Sequence, residues 1–226
     1  PCAYFSYNEQ KHNGCDDIVF ISQKTQKAYL AGIQLLYPHI RRDNMRVAYL
    51  GSIHRVPGRL APASGDGVLR IVSCSSAVKV KRIDLILQAV ALYQGPIHWT
   101  HIGGGPLLDA LRQELEKRLA GNPAKSVSFT GAVTNRQVQE YYAMHPVDLF
   151  VNVSASEGLP VSIMEAMSYG IPVVATDVGG TGEIVTKETG FLLEKDFSPR
   201  ELCDVLRAFV VRAEAEKEKF RTSSTC

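Results

Sequence analysis

The chain has 226 residues, 45% of them hydrophobic and 21% charged, with a formal net charge of +2. That length carries one or two domains and enough apolar material for a buried core, while the near-neutral balance gives no electrostatic reason to expect nucleic acid or an acidic polymer as partner. Five scattered cysteines (Cys2, Cys15, Cys74, Cys203, Cys226), never at C-x-x-C spacing, argue against a disulfide framework or a zinc site and for a reducing cytosol; no run of about twenty apolar residues could span a membrane.

In chain order, the pattern predicts a strand over 18–21, a helix over 24–37 and a strand over 45–50. Gly51 to Gly67, with Pro57, Gly58, Pro62, Ser64 and Gly65, reads as a linker and domain boundary. Regular alternation follows: strand 68–72, helix 82–93, strand 96–102, helix 106–120, strand 127–129, and a helix from the capping-box match Thr134–Gln137 to about Met144. Then come strand 148–153, helix 159–169, strand 171–175, and a last helix opened by Ser198, Pro199 and Glu201 and running to about Lys219. Strands and helices alternating at this interval predict an α/β fold, a doubly wound parallel sheet. The expected division is 1–51, a linker over 52–67, a main domain over 68–212, and a helix end with frayed tail over 213–226. The opening at Pro1, mid-pattern and without a signal peptide, reads as a piece of a longer chain. Arg41, Arg42, Arg46, Arg55 and Arg59 make the first third mildly basic, which a solvated surface explains best and an anionic membrane face less well.

Glu157 and Glu165 straddle one predicted helix start, Glu157 on the loop after strand 148–153 and Glu165 inside the helix, with Pro160 suiting its first turn. Eight residues at helical rise separate them by up to about 12 Å, too far for a shared proton or one metal ion. The spacing suits two acids holding hydroxyls at opposite ends of an elongated ligand, with a pyrophosphate between them at the helix start; the ligand so described is a nucleotide diphosphate sugar. The plainer reading is two solvated acids on a surface helix.

Ligands of such a sheet sit beyond the carboxyl ends of its strands. Gly103-Gly-Gly105-Pro106 lies at one such end, either letting backbone approach a ligand or making a tight turn, and it lacks the dinucleotide fingerprint because Leu108 takes the third glycine position. Lys79, Lys81 and Arg82 could reach a phosphate from the first strand of the domain, or form a solvated basic turn. Gly179-Gly180-Thr-Gly182-Glu183 is a second glycine-rich loop on that edge, with a plain turn as its alternative. His98, Trp99 and His101 read as strand packing; His39, His54 and His145 have no partners at metal spacing, and Ser154, Ser156 and Ser162 match no nucleophile elbow.

Taken in order, these residues resemble the C-terminal half of family 4 (group 1) retaining glycosyltransferases of the GT-B fold, from about Val68 to Val211, with a thinner match over 17–51. The carrying motifs are Val-Lys81-Arg-Ile-Asp84-Leu, Ile102-Gly-Gly-Gly-Pro106-Leu, Phe129-Thr-Gly131, Glu157-Gly-Leu-Pro-Val-Ser-Ile-Met-Glu165-Ala-Met, and Pro172-Val-Val-Ala-Thr-Asp177-Val-Gly-Gly180 with Glu183-Ile-Val and Gly190. The resemblance implies a Rossmann-like domain at 68–212 that binds the nucleotide-sugar donor, with 1–51 a remnant of the N-terminal, acceptor-side domain. It implies that Glu165 binds the donor ribose, that Glu157, the catalytic-side residue, holds a hydroxyl of the donor sugar, and that Lys81 neutralises the diphosphate. The backbone at Gly131-Ala132-Val133 would meet the base, and Gly105, Gly158, Leu159, Pro160 and Val161 would complete the donor site. Such enzymes use a UDP- or GDP-linked sugar without metal or cofactor and act with retention on a saccharide or glycolipid acceptor in the cytoplasm, in some cases at the membrane face. Two departures stand out. The arginine usual five residues before the lysine is Ser76 here, for which Lys79 or Arg82 could compensate, and most of the N-terminal domain is missing, so the fragment alone is expected to be inactive. Alternatives are a nucleotide-sugar binding or regulatory module without transfer, and a GT-B nucleotide-sugar epimerase.

Overall fold

The computed structural model describes residues 17–34, 43–52, 61–62 and 65–223. Expectations at Cys2, Cys15, Cys226, His39, His54, Arg41, Arg42, Arg55 and Arg59, at 35–37, and over most of the linker lie outside the described residues. Among the described residues two parallel sheets are present. The smaller pairs β1 (Ile18–Phe20) with β2 (Met45–Val47), Ile18 opposite Met45, with α1 (Gln23–Gln34) following β1. The larger contains β3 (Leu69–Cys74), β4 (Ile97–Ile102), β5 (Lys125–Phe129), β6 (Leu149–Asn152), β7 (Val173–Thr176) and β8 (Gly190–Leu193) in the order β5-β4-β3-β6-β7-β8.

The inner strands of this sheet are largely buried on both faces because helices cover both. Ile71 packs toward α2 (Ile83–Leu92), α3 (Leu108–Leu119) and α7 (Pro199–Ser223), in a cluster with Ile86, Leu87, Val90, Leu111, Leu202 and Leu206. Its neighbour Val72 packs to the opposite side, under α4 (Asn135–Met144) and α5 (Val161–Ser168), with Val138, Tyr142, Ile163 and Tyr169. Among the described residues no helix is long and apolar enough to cross a membrane.

The strand order decides where a ligand can sit. From β3 the chain steps outward through β4 and β5, then returns to the other flank of β3 as β6 and steps outward through β7 and β8. Connections leave β3 and β6 in opposite directions, which opens a crevice beyond their carboxyl ends.

The predicted elements are all found among the described residues, with shifted ends. Thr134 closes the expected capping box with Gln137, and Ser198 does the same with Glu201. The last helix extends to Ser223, past the expected Lys219. Helix α2 starts at Ile83 because Arg82 is in the left-handed region, at φ 48°. Helix α3 starts at Leu108, two residues after the expected Pro106. Pro160 is not in the first turn of α5 but one place before it, extended at φ −75° and ψ 103°. The strand expected at 171–175 occupies Val173–Thr176, and that expected at 45–50 stops at Val47. Sequence reading missed α6 (Thr181–Ile184) and β8, each four residues long and too short to display a period.

Candidate functional site

The crevice between the ends of β3 and β6 holds an ion pair. Lys81, in a single 3-10 turn after β3, places Nζ 2.7 Å from Glu157 Oε1, with side chains 24% and 11% exposed. Asn152, the last residue of β6, donates to the same oxygen at 3.2 Å and uses its own carbonyl to accept from Ser154 N at 3.1 Å. The two loops are tied together by a bond from Ala155 N to Val80 O at 2.7 Å. Glu157 is further fixed from behind. A Cβ on Gly179, whose φ is +56°, would fall 1.9 Å from Glu157 O, and Gly180 N donates to Gly158 O at 2.6 Å. Only glycine permits both that dihedral and that approach. The glycines of the Gly179–Gly182 loop thus serve to hold the Glu157 loop in place.

Glu165 lies in α5, 9% exposed. Its Oε1 accepts from Asn135 Nδ2 at 2.5 Å; Asn135 Oδ1 accepts from Gln139 Nε2 at 3.1 Å, and Gln139 Oε1 accepts from the buried Tyr169 hydroxyl at 3.3 Å. The carboxylate's field reaches the end of β3, where burial first and Glu165 second push the Cys74 thiol up to about 11. Burial likewise drives the Tyr142 hydroxyl well above its ordinary value, with Glu165 adding to it. Cys74 is therefore an inert thiol.

The Gly103–Gly105 loop makes its close approach to protein. A Cβ on Gly103 would fall 2.0 Å from Ser75 O, and one on Gly105 2.7 Å from Ala77 N, while Gly103 N donates to Gly131 O at 3.1 Å. These glycines seat the β4 loop on the β3 loop, which supports Lys81. Gly131, at φ +71°, has open space where a Cβ would stand, and Val133 is half-buried against the core beneath it. Gly158 is exposed, the Leu159 and Pro160 side chains are buried so that a ligand would meet their backbone, and Val161 is exposed at the start of α5.

The compensation expected for Ser76 is not shared equally. Ser76 and Lys79 are exposed near Lys81. Arg82 is turned away: it donates to Val153 O at 2.7 Å, Lys195 O at 2.6 Å and Ser154 O at 3.2 Å, with its guanidinium 5.2 Å from the centre of the Phe197 ring. Those bonds saturate the end of β6 and leave it no reach to a phosphate, which corrects that expectation.

The small sheet unit abuts this edge. Ile21 Cδ1 lies 3.1 Å from where a Gly158 Cβ would be, and buried Ser22 fills the space over Gly180. Glu183 accepts from Gln23 N at 2.9 Å, Lys24 N at 2.8 Å and the Tyr49 hydroxyl at 2.9 Å, and Lys24 pairs with Asp177. Burial raises the Glu183 carboxyl, but the Lys24 and Gln23 amides and Tyr49 outweigh it, so the group sits below its ordinary value.

The histidines of β4 pack as expected. His101 is buried with Nδ1 2.9 Å from Ser73 Oγ, which accepts from Trp99 Nε1, and burial holds its ring down to about 4. His145 stacks on Tyr141, and among the described residues no group of three or more His, Cys, Asp or Glu side chains could hold a metal ion. Motif reading passed over Asn135 and Asn152. A polar amide closing the apolar run of β6 was a legible signal for Asn152; Asn135 had none beyond its place beside an N-cap.

The family model for group 1 glycosyl transferases matches residues 69–210. The O-antigen biosynthesis glycosyltransferase WbnH of Escherichia coli is 34% identical over 115 residues, 50% of this chain and 30% of its own. The lipopolysaccharide core biosynthesis mannosyltransferase LpsB of Rhizobium meliloti is 34% identical over 155 residues, 64% of this chain and 42% of its own. The chain thus spans less than half the length of these relatives. In structure, HepE of Anabaena in complex with UDP-glucose superposes with a TM-score of 0.70 at 19% identity, covering 91% of this chain and 57% of that one. The fold is that of one half of a GT-B glycosyltransferase. With the paired glutamates at the switch point and a family match running from the first strand of the large sheet into its last helix, the chain belongs to the group 1 glycosyl transferases.

Proposed function

We propose that this chain is the donor-binding part of a hexosyltransferase that moves a sugar from a UDP- or GDP-linked donor to a saccharide or glycolipid acceptor with retention of configuration. The observation that carries the reading is the arrangement at the ends of β3 and β6: Glu157 paired with the cation Lys81, and a second carboxylate, Glu165, close enough to the end of β3 to act on Cys74. Glu165 accepts the ribose hydroxyls and Glu157 a hydroxyl of the sugar. A diphosphate between them draws Lys81 from Glu157, and as the bond from the anomeric carbon to the phosphate oxygen breaks, Lys81 and the start of α5 stabilise the charge that develops on the leaving diphosphate. Gly131 and Val133 offer the base an open backbone edge. The reaction on this reading needs no metal or cofactor, takes place in the cytoplasm or at its membrane face, and requires the rest of the N-terminal domain, so this chain alone binds donor without turnover. The relatives WbnH and LpsB, both biosynthetic glycosyltransferases, favour transfer over a silent binding module or an epimerase.

Calorimetric titration with UDP, GDP and ADP tests this, on the chain and on Glu165→Ala. Saturable binding of one nucleotide, weakened about tenfold or more in the variant, is expected from loss of hydrogen bonds to a charged group. No binding at millimolar nucleotide, or equal binding by both proteins, overturns it.

A further inference from the structure

We infer that Asn135 is a positioning residue for the ribose end of the site, holding the Glu165 carboxylate through a one-way chain of hydrogen bonds anchored in the core. This rests on the reading of Glu165 as the ribose acceptor. The Glu165 carboxylate only accepts, so the Asn135 amide turns its nitrogen to it and its oxygen to Gln139 Nε2, which leaves Gln139 Oε1 to accept from the Tyr169 hydroxyl. Every donor points the same way, toward the carboxylate. Tyr169 and Gln139 are buried, and Asn135 begins α4 directly after the capping box at Thr134, so both amides are pinned at backbone and tip. A nearly buried carboxylate held by one neutral donor on Oε1 keeps its remaining lone pairs for a diol, with its rotamer set before ligand arrives. The outer side of Asn135 is open to solvent, so the pair can be reached by a ligand.

The test compares whichever of UDP and GDP binds with its 2′,3′-dideoxy form, by calorimetry on the full 226-residue chain. The ratio of the two affinities isolates the diol and cancels the titration of the phosphates. Asn135→Ala is expected to reduce the ratio about five-fold through loss of the positioning bond, with the dideoxy affinity unchanged. In Asn135→Asp the introduced carboxyl lies against Glu165; protonated it donates as the amide does, and ionised it repels. Compared with the unaltered chain at the same pH, the ratio is therefore expected to be similar at about pH 5 and to collapse by about pH 8. Cys74 and Tyr142, the titratable groups that the charge of Glu165 reaches, stay protonated throughout that range. An unchanged ratio in Asn135→Ala, or a pH-independent one in Asn135→Asp, overturns the inference. If Glu165→Ala itself leaves the ratio unchanged, or the chain binds neither nucleotide, the reading of Glu165 falls and the inference with it.

Discussion

Glu157 and Glu165 are the same residue in one segment, yet the fold holds them by different means. Glu157 is paired with a cation, Lys81, and its loop is locked by glycines from the β7 loop. Glu165 sits in a helix and meets a neutral amide backed by a buried relay. An ion pair of this kind is exchangeable, because an incoming diphosphate can replace the carboxylate as partner of the lysine. A neutral donor has no such alternative loyalty and leaves the carboxylate poised. The difference suggests an order of events, with the nucleotide end preformed and the sugar end assembled as the diphosphate enters.

The largest expected effect that would sharpen this contrast comes from Gly179→Ala. The new Cβ would meet Glu157 O in a left-handed backbone, costing about 3 kcal/mol in a chemical melt through strain and overlap. Binding of the free nucleotide should survive while the extra affinity for the nucleotide sugar is lost; equal loss of both would show that the two ends are not separable. Next is Lys81→Ala, which strands a carboxylate that is 11% exposed and should cost about 2 kcal/mol. Adding Glu157→Ala should recover a good part of that, and a double-mutant cycle without coupling would dismiss the ion pair as a coincidence of proximity.

The smallest effect concerns the contact between the small sheet unit and this edge. Glu183 has a lowered carboxyl in the folded chain, so its contribution to docking α1 is present above the ordinary glutamate range and is lost as pH falls through the folded value. Hydrogen exchange at the Gln23 and Lys24 amides, corrected for intrinsic rate, should lose protection on acidification. In Glu183→Gln at neutral pH it should rise about three-fold, as for a solvent-accessible contact. Protection that ignores both changes would mean that Ser22 and Ile21 hold the unit in place without the carboxylate.

Much of the fold was legible because its signals are local. The capping boxes at Thr134 and Ser198 lie within one turn, and the apolar stretches of β6 and β7 mark strands covered on both faces. The paired-glutamate segment, with a turn before it and a helix within it, places one acid on a loop and the other in a helix by its pattern alone. Short elements such as β8 were not legible, since four residues on a sheet edge carry no period of their own.

Local pattern alone therefore sets the alternation of strand and helix, the doubly wound class and the identity of the segment that bears the site. Tertiary structure decided the partners. Lys81 meets Glu157 across 76 positions, Asn135 meets Glu165 across 30, and Glu183 meets Gln23 across 160. It also turned Arg82 from a phosphate candidate into a strut and the glycine loops into supports for the loops that carry Lys81 and Glu157. The reason is physical: a cap or a hydrophobic period is set by neighbours within a few residues, whereas the direction of a long side chain is set by whichever distant carbonyl or carboxylate the packed sheet brings within reach.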